Sequence, residues 1–121
     1  AFNFTSFGFK HVLPHDADYV FDIRFLPNPY WESELRDFNG LDQPIIDFLN
    51  NSNEVQEFFN SLTTFLEPCL ARQKEQNRSF ITVALGCTGG RHRSVFLCEK
   101  LAEHFRGRYP QVSVRHTELL D

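Results

Sequence analysis

Two hydrophobic periods run along this chain, and they predict its elements in order. SFGFK (6–10) reads as a short strand, and HDAD (15–18) after Pro14 reads as a turn. YVFDIRFL (19–26) alternates with period two, so Tyr19, Phe21, Ile23 and Phe25 point one way. Val20, Asp22, Arg24 and Leu26 point the other way. PNPYW (27–31) stops that strand, because proline cannot donate to a ladder. Residues 32–51 suggest loop and a short helix, with the Asn39-Gly40 pair as a turn signal. From Asn53 the spacing becomes helical: Val55, Phe58, Phe59, Leu62, Leu66, Cys69 and Leu70 share one face. Asn53 with Gln56 resembles a capping box, and Pro68 is expected to kink or split the helix. FITVALGC (80–87) is almost wholly apolar, as in a strand buried on both faces. A second helix should begin near Arg91 and turn Val95, Cys98, Leu101, Ala102 and Phe105 inward. VSVRH (112–116) supplies a last strand. This order predicts a single α/β domain with a mixed or mostly parallel sheet and flanking helices. There is no internal repeat, low-complexity segment or long linker.

The 121 residues suffice for one domain, and 41% hydrophobic content with 14 Phe supplies its core. No apolar run is long enough to cross a membrane, and no secretory leader pattern is present. The chain opens on Ala inside an already alternating stretch, AFNFTSFGF, as a segment excised from a longer protein does. Three cysteines without CxxC spacing argue against a disulfide framework or a zinc site and fit a reducing cytoplasm. Charge is uneven. Residues 1–87 hold 6 basic and 12 acidic side chains, a net −6, whereas residues 88–121 hold 6 and 4, a net +2. A small anionic ligand fits that distribution as well as a polynucleotide does.

The chemistry concentrates in GCTGGRHRS (86–94), between the buried strand and the second helix. Glycines allow a ligand to approach the backbone. The first helical turn offers unpaired N–H groups and partial positive charge. Arg93 adds a planar fork for phosphate oxygens. Cys87 and Arg93 also stand at the C-x5-R spacing of protein tyrosine phosphatases, in which a thiolate attacks phosphate. Two readings therefore stay open: an anion cradle with Cys87 as its wall, or a nucleophilic Cys87 clamped by Arg93. Against both stand plainer roles. Cys87 can simply end a buried strand, His92 can cap the helix or face water, and Arg91 can be a solvated surface residue. Cys69 and Cys98 are expected in the core. Asp22 and Arg24, two charges in mid-strand, either pair with each other or form a polar wall facing the glycine loop. Lys10 and His11 could add positive charge to that cleft.

SFGFKH, DADYVFDIRFLPNPYW, GLDQP and ITVALGCTGGRHRSV, closing with RH, resemble the C-terminal domain of the bacterial RNase adapter protein RapZ (YvcJ) family, from about Ser6 to His116. The resemblance implies an α/β domain similar in part to phosphofructokinase. It implies a separate N-terminal P-loop domain, absent from these residues, which would hold ATP or GTP; this domain itself would carry no cofactor and no metal. It further implies a regulatory, non-enzymatic domain that binds glucosamine-6-phosphate and RNA, forms homo-oligomers and works in the cytoplasm. The expected partners are a small regulatory RNA, RNase E and a two-component system protein, and the process controlled is amino-sugar synthesis. By motif position the sugar-phosphate site falls on Lys10, Asp22, Cys87, Thr88, Gly89, Gly90, His92 and Arg93. Some members have PNPHW, whose histidine contributes to ligand binding; this chain has Tyr30 there, which keeps a hydrogen-bonding tip without a positive charge. Members often end in a Lys/Arg run that grips RNA, whereas this chain ends HTELLD. A third reading makes the domain chiefly an RNA platform, with Arg106, Arg108, Arg115 and His116 as the expected contacts.

Overall fold

In the computed structural model, which describes residues 1–119, four strands and three α-helices follow one another as the periods predict. The final two residues of HTELLD lie outside the described part. The strands are β1 (Phe2–Gly8), β2 (Tyr19–Asp22), β3 (Ile81–Cys87) and β4 (Val112–His116). All pairings are parallel, in the order β2-β3-β1-β4. The helices are α1 (Gln43–Asn50), α2 (Asn53–Glu75) and α3 (Arg93–Arg106), with a short 3-10 turn at Pro29–Trp31.

Burial explains why the sheet sits as it does. Phe2, Phe4, Ile81, Val83 and Leu85 point to the helical face and are fully or nearly buried. There Phe4 stacks on Phe105 of α3 at 5.7 Å, and Phe2 meets Tyr109 edge-on at 4.7 Å. α3 lies across β1, β3 and β4, with α1 and α2 packed beside it. The opposite face is polar: Asn3, Thr82 and Ser113 share one register row, and Thr5, Ala84 and Arg115 the next.

Several boundaries differ from the sequence reading, each for a local reason. β1 spans Phe2–Gly8 rather than residues 6–10. The chain turns after Gly8, whose carbonyl accepts the His11 N–H. β2 ends at Asp22, four residues early. The Asp22 carboxylate accepts the Arg24 backbone N–H at 3.0 Å, an Asx turn that replaces the ladder. The predicted alternation therefore fails beyond Ile23, and Leu26 is buried while Phe25 is exposed. The α2 cap is Ser52, whose hydroxyl accepts the Val55 N–H, not Asn53. Gln56 instead donates to the Asn50 carbonyl. Pro68 does not split α2, which continues to Glu75. Thr64 and Pro68 are both exposed, so water can reach the carbonyl that proline leaves without a donor. Cys98 is buried as expected, whereas Cys69 is only half-buried.

Candidate functional site: a basic cleft at the carboxyl edge of the sheet

A parallel sheet brings the ends of all its strands to one edge, and ligands of open α/β proteins bind there. Here that edge gathers Gly8–His11 after β1, Asp22–Leu26 after β2, Cys87–His92 after β3 and Thr117–Glu118 after β4. The ladder does not stop cleanly. Phe9 N–H donates to the Cys87 carbonyl at 2.9 Å, and Lys10 N–H to that of Thr88 at 3.2 Å. These bonds tie the segment after β1 to the glycine loop.

Backbone packs on backbone at that junction. Gly90 has φ +77, in the left-handed region. A Cβ on Gly90 would lie 2.6 Å from the Gly8 nitrogen, and one on Gly8 would lie 2.6 Å from the Gly89 carbonyl. Gly89 differs, because a Cβ there would meet nothing within 4 Å. Its free side borders a cleft of about 510 Å³.

The cleft is lined by the cations Lys10, Arg36, Arg91 and Arg93 and by the imidazoles of His11 and His92, with no Asp or Glu among the described residues that line it. α3 begins at its floor. His92 precedes the helix, and no side chain caps the first turn, so the partial charge of the helix start faces the cleft. Arg93 is only 3% exposed. Its Nη1 donates to the carbonyls of Arg24 (2.7 Å) and Leu26 (3.0 Å), and Nη2 lies 3.5 Å from Thr88 Oγ1. Its Nε is buried with no partner among the described residues. A buried guanidinium N–H without an acceptor is costly. Burial pulls the Arg93 pKa below the usual arginine value, while the adjacent Cys87 and Asp22 pull it back up.

His92 has a different task. Its Nε2 donates to the Phe38 carbonyl at 2.6 Å and so holds the 36–38 loop against the helix start. Burial depresses its pKa, and its two arginine neighbours add to the effect more weakly than the carbonyl bonds oppose it. Cys87 ends β3 at 2% exposure, with Sγ 3.1 Å from Ser94 Oγ. Tyr30 and Trp31 stand at the rim, Trp31 at 74% exposure. The Arg36 guanidinium lies 4.7 Å from the Tyr30 ring centre.

The cleft thus brings together Lys10, Tyr30, Cys87, Thr88, Gly89, His92 and Arg93. Asp22 does not join the wall. Its carboxylate takes Arg24 Nε and Nη2 at 2.9 and 2.7 Å, the mutual pair that the plainer reading of these charges anticipates. That pairing lowers the Asp22 pKa. Gly90 lies behind the loop, against Gly8. Arg91 is a cleft residue, not merely a solvated one, and donates to the Glu118 carbonyl at 3.3 Å. Asn28, Trp31 and Arg36 enter from the irregular segment after β2, where no period marks them; the aromatic and Arg content of PNPYWESELR was the only available signal.

The expected RNA contacts do not form one surface. Arg106 and Arg108 lie at the far end of α3, about 20 Å along the helix from Arg93. Arg108 pairs with Glu67 at 3.5 Å. Arg115 is exposed on the polar sheet face. His116 turns inward: Nε2 donates to Glu99 and Nδ1 meets Ser6 Oγ, both at 2.7 Å. Among the described residues no cluster of His, Cys, Asp and Glu could hold a metal, and no helix is long and apolar enough to cross a membrane.

Comparison with known proteins agrees with the geometry. Residues 1–120 match the family described as RapZ C-terminal domain. A protein named "Nucleotide-binding protein" from Actinobacillus pleuropneumoniae serotype 5b is 54% identical over 116 residues, covering 96% of this chain and 41% of that protein. One named "RNase adapter protein RapZ" from Yersinia pseudotuberculosis serotype O:1b is 53% identical over 116 residues, with the same coverage. The chain spans about two fifths of the length of these curated relatives. The motifs at the sheet edge and the match along the chain lead to one assignment: the chain belongs to the RapZ C-terminal domain family.

Proposed function

We propose that this chain is a ligand-sensing adapter domain. Its basic cleft holds the phosphate of glucosamine-6-phosphate, and occupancy of the cleft controls binding of a small regulatory RNA and its delivery to RNase E. The observation that carries the reading is Arg93, a buried arginine on the floor of the cleft at an uncapped helix start. Its charge attracts a phosphate to that floor, and the loop amides and helix dipole favour the same charge. Lys10 and Arg91 neutralise the remaining oxygens, and Thr88 and Tyr30 offer hydroxyls to the sugar. The relative named "RNase adapter protein RapZ" supports the adapter role, and "Nucleotide-binding protein" fits an ATP or GTP site elsewhere in the whole protein.

Calorimetry with glucosamine-6-phosphate tests the cleft. Replacing Arg93 by Ala removes charge-assisted hydrogen bonds and should weaken binding about 30- to 150-fold, the scale of about 2–3 kcal/mol. Arg93→Lys keeps the charge, loses the fork and should fall between. Unchanged affinity in either folded variant removes the assignment.

A second reading has one observation in its favour: Cys87 Sγ lies beside both Ser94 Oγ and Arg93, as a phosphatase nucleophile would. Phosphorus NMR of the ligand with stoichiometric protein separates the two. An intact, shifted phosphate signal over hours supports the sensor. Growing inorganic phosphate, abolished by Cys87→Ser, supports hydrolysis.

A further inference from the structure

Trp31 is the most exposed aromatic side chain among the described residues, and it stands in the lining of the cleft rather than on open surface. Its main chain is fixed from below. Buried Pro29 opens the 3-10 turn, the Trp31 N–H donates to the Asn28 carbonyl at 3.2 Å, and the Tyr30 N–H donates to Asn28 Oδ1 at 3.1 Å. Arg36 Nε holds the same turn by donating to the Tyr30 carbonyl at 2.9 Å, and its guanidinium covers the Tyr30 ring. The indole has no such cover. Its one aromatic neighbour among the described residues is Tyr30, set at 81° to it with ring centres 5.9 Å apart. A large ring held on a rigid turn binds at little entropic cost, since only two side-chain torsions remain to be fixed. Asn28 lines the cleft too. Its side-chain oxygen is taken by the Tyr30 N–H, while its NH2 group has no partner among the described residues and offers two donors to the edge of a planar ring. At about 510 Å³ the cleft lies in the range that takes ligands larger than a hexose phosphate.

We propose that the cleft has a second class of ligand, nucleoside 5′-monophosphates, with the base stacked on Trp31 and the phosphate at the glycine loop. The proposal rests on the phosphate reading above and adds a base subsite to it. Every nucleobase presents a flat π face, so an indole platform accepts the class rather than one member of it. The nucleotide and the phosphosugar share one phosphate position and exclude each other. The nucleotide level therefore sets how much phosphosugar the domain needs in order to respond.

The test combines calorimetry with the fluorescence of Trp31, the single tryptophan of the chain. The probes are adenosine 5′-monophosphate, ribose-5-phosphate and glucosamine-6-phosphate. The nucleotide should quench the indole and bind about tenfold more tightly than ribose-5-phosphate, the weight of one stacked base. Trp31→Ala should abolish that difference and leave the affinity for glucosamine-6-phosphate unchanged. Trp31→Phe, which keeps a stacking ring, should retain most of it. Excess glucosamine-6-phosphate should displace the nucleotide. Equal parental affinities for the nucleotide and ribose-5-phosphate overturn the proposal, as does a difference that survives Trp31→Ala. So does a nucleotide that the phosphosugar cannot displace, because it sits elsewhere. A Trp31→Ala variant that loses the phosphosugar as much as the nucleotide also overturns it, because the indole then serves the sugar. In each of these cases the parent still binds the phosphosugar and the phosphate reading stands. If none of the three probes binds, that reading falls as well.

Discussion

His92 shows at a single residue how burial becomes a pH response. Its Nε2–H already serves the Phe38 carbonyl, and burial disfavours a second proton. The folded pKa therefore lies below the ordinary 6.5. Between those values the unfolded chain binds a proton that the native chain does not, so stability falls as pH falls below about 6.5. Thermal melts should show this acid loss reduced in His92→Gln relative to the parent between pH 7.5 and 5.5. Equal acid sensitivity would mean that the ring titrates normally. At this scale the site was largely legible, because a contiguous loop carries Cys87, Thr88, Gly89, His92 and Arg93 into the cleft together. Asp22 lies off the cleft wall for a local reason. An Asx turn at its own side chain ends the strand that was expected to aim it. Arg36 and Trp31 were invisible because an irregular segment has no period to project.

The glycine loop separates fold from ligand within three positions. Gly90 sits at positive φ with Gly8 backbone where a Cβ would go. Gly90→Ala should cost about 1–3 kcal/mol of stability through strain and displacement of the β1 end. Gly89→Ala meets only open space. It should leave stability within about 0.5 kcal/mol and weaken phosphate binding, since the methyl narrows the approach to the loop. Denaturant melts paired with calorimetry check both. A Gly89 variant that melts early, or a Gly90 variant that melts like the parent, would reverse the roles. The elements themselves were easier to read than their ends. β3, β4 and α3 carry strong periods and appear close to where the pattern puts them. Side-chain chemistry decided the ends, through Ser52 at the start of α2 and Asp22 at the end of β2. Pro68 was overestimated as a breaker, because its cost falls on an exposed turn of a helix held by Leu62, Leu66 and Leu70.

Across the whole molecule the net charge is −4, yet the cleft and its rim are basic. The parallel topology and the one-sided helix layer were readable from element order. The gathering of charge was not, because Lys10, Arg36 and Arg91 meet only in the fold. Lys10, Arg36 and Arg91 line the cleft together with exposed Tyr30 and Trp31, a combination that would suit the phosphates and stacked bases of RNA as well. If a single-stranded RNA engages about four cations there, log affinity should fall with log salt at a slope of about −3. Joint Arg36→Gln and Arg91→Gln should flatten the slope, whereas joint Arg106→Gln and Arg108→Gln should not. The opposite pattern would move the RNA to the far end of α3.

A cationic hollow in an otherwise acidic body also governs how encounters begin. An approaching polyanion is repelled by most of the surface and drawn to one face, so the field exerts a torque that turns the domain cleft-first before contact. Orientation then occurs during diffusion, and misaligned collisions separate rather than persist.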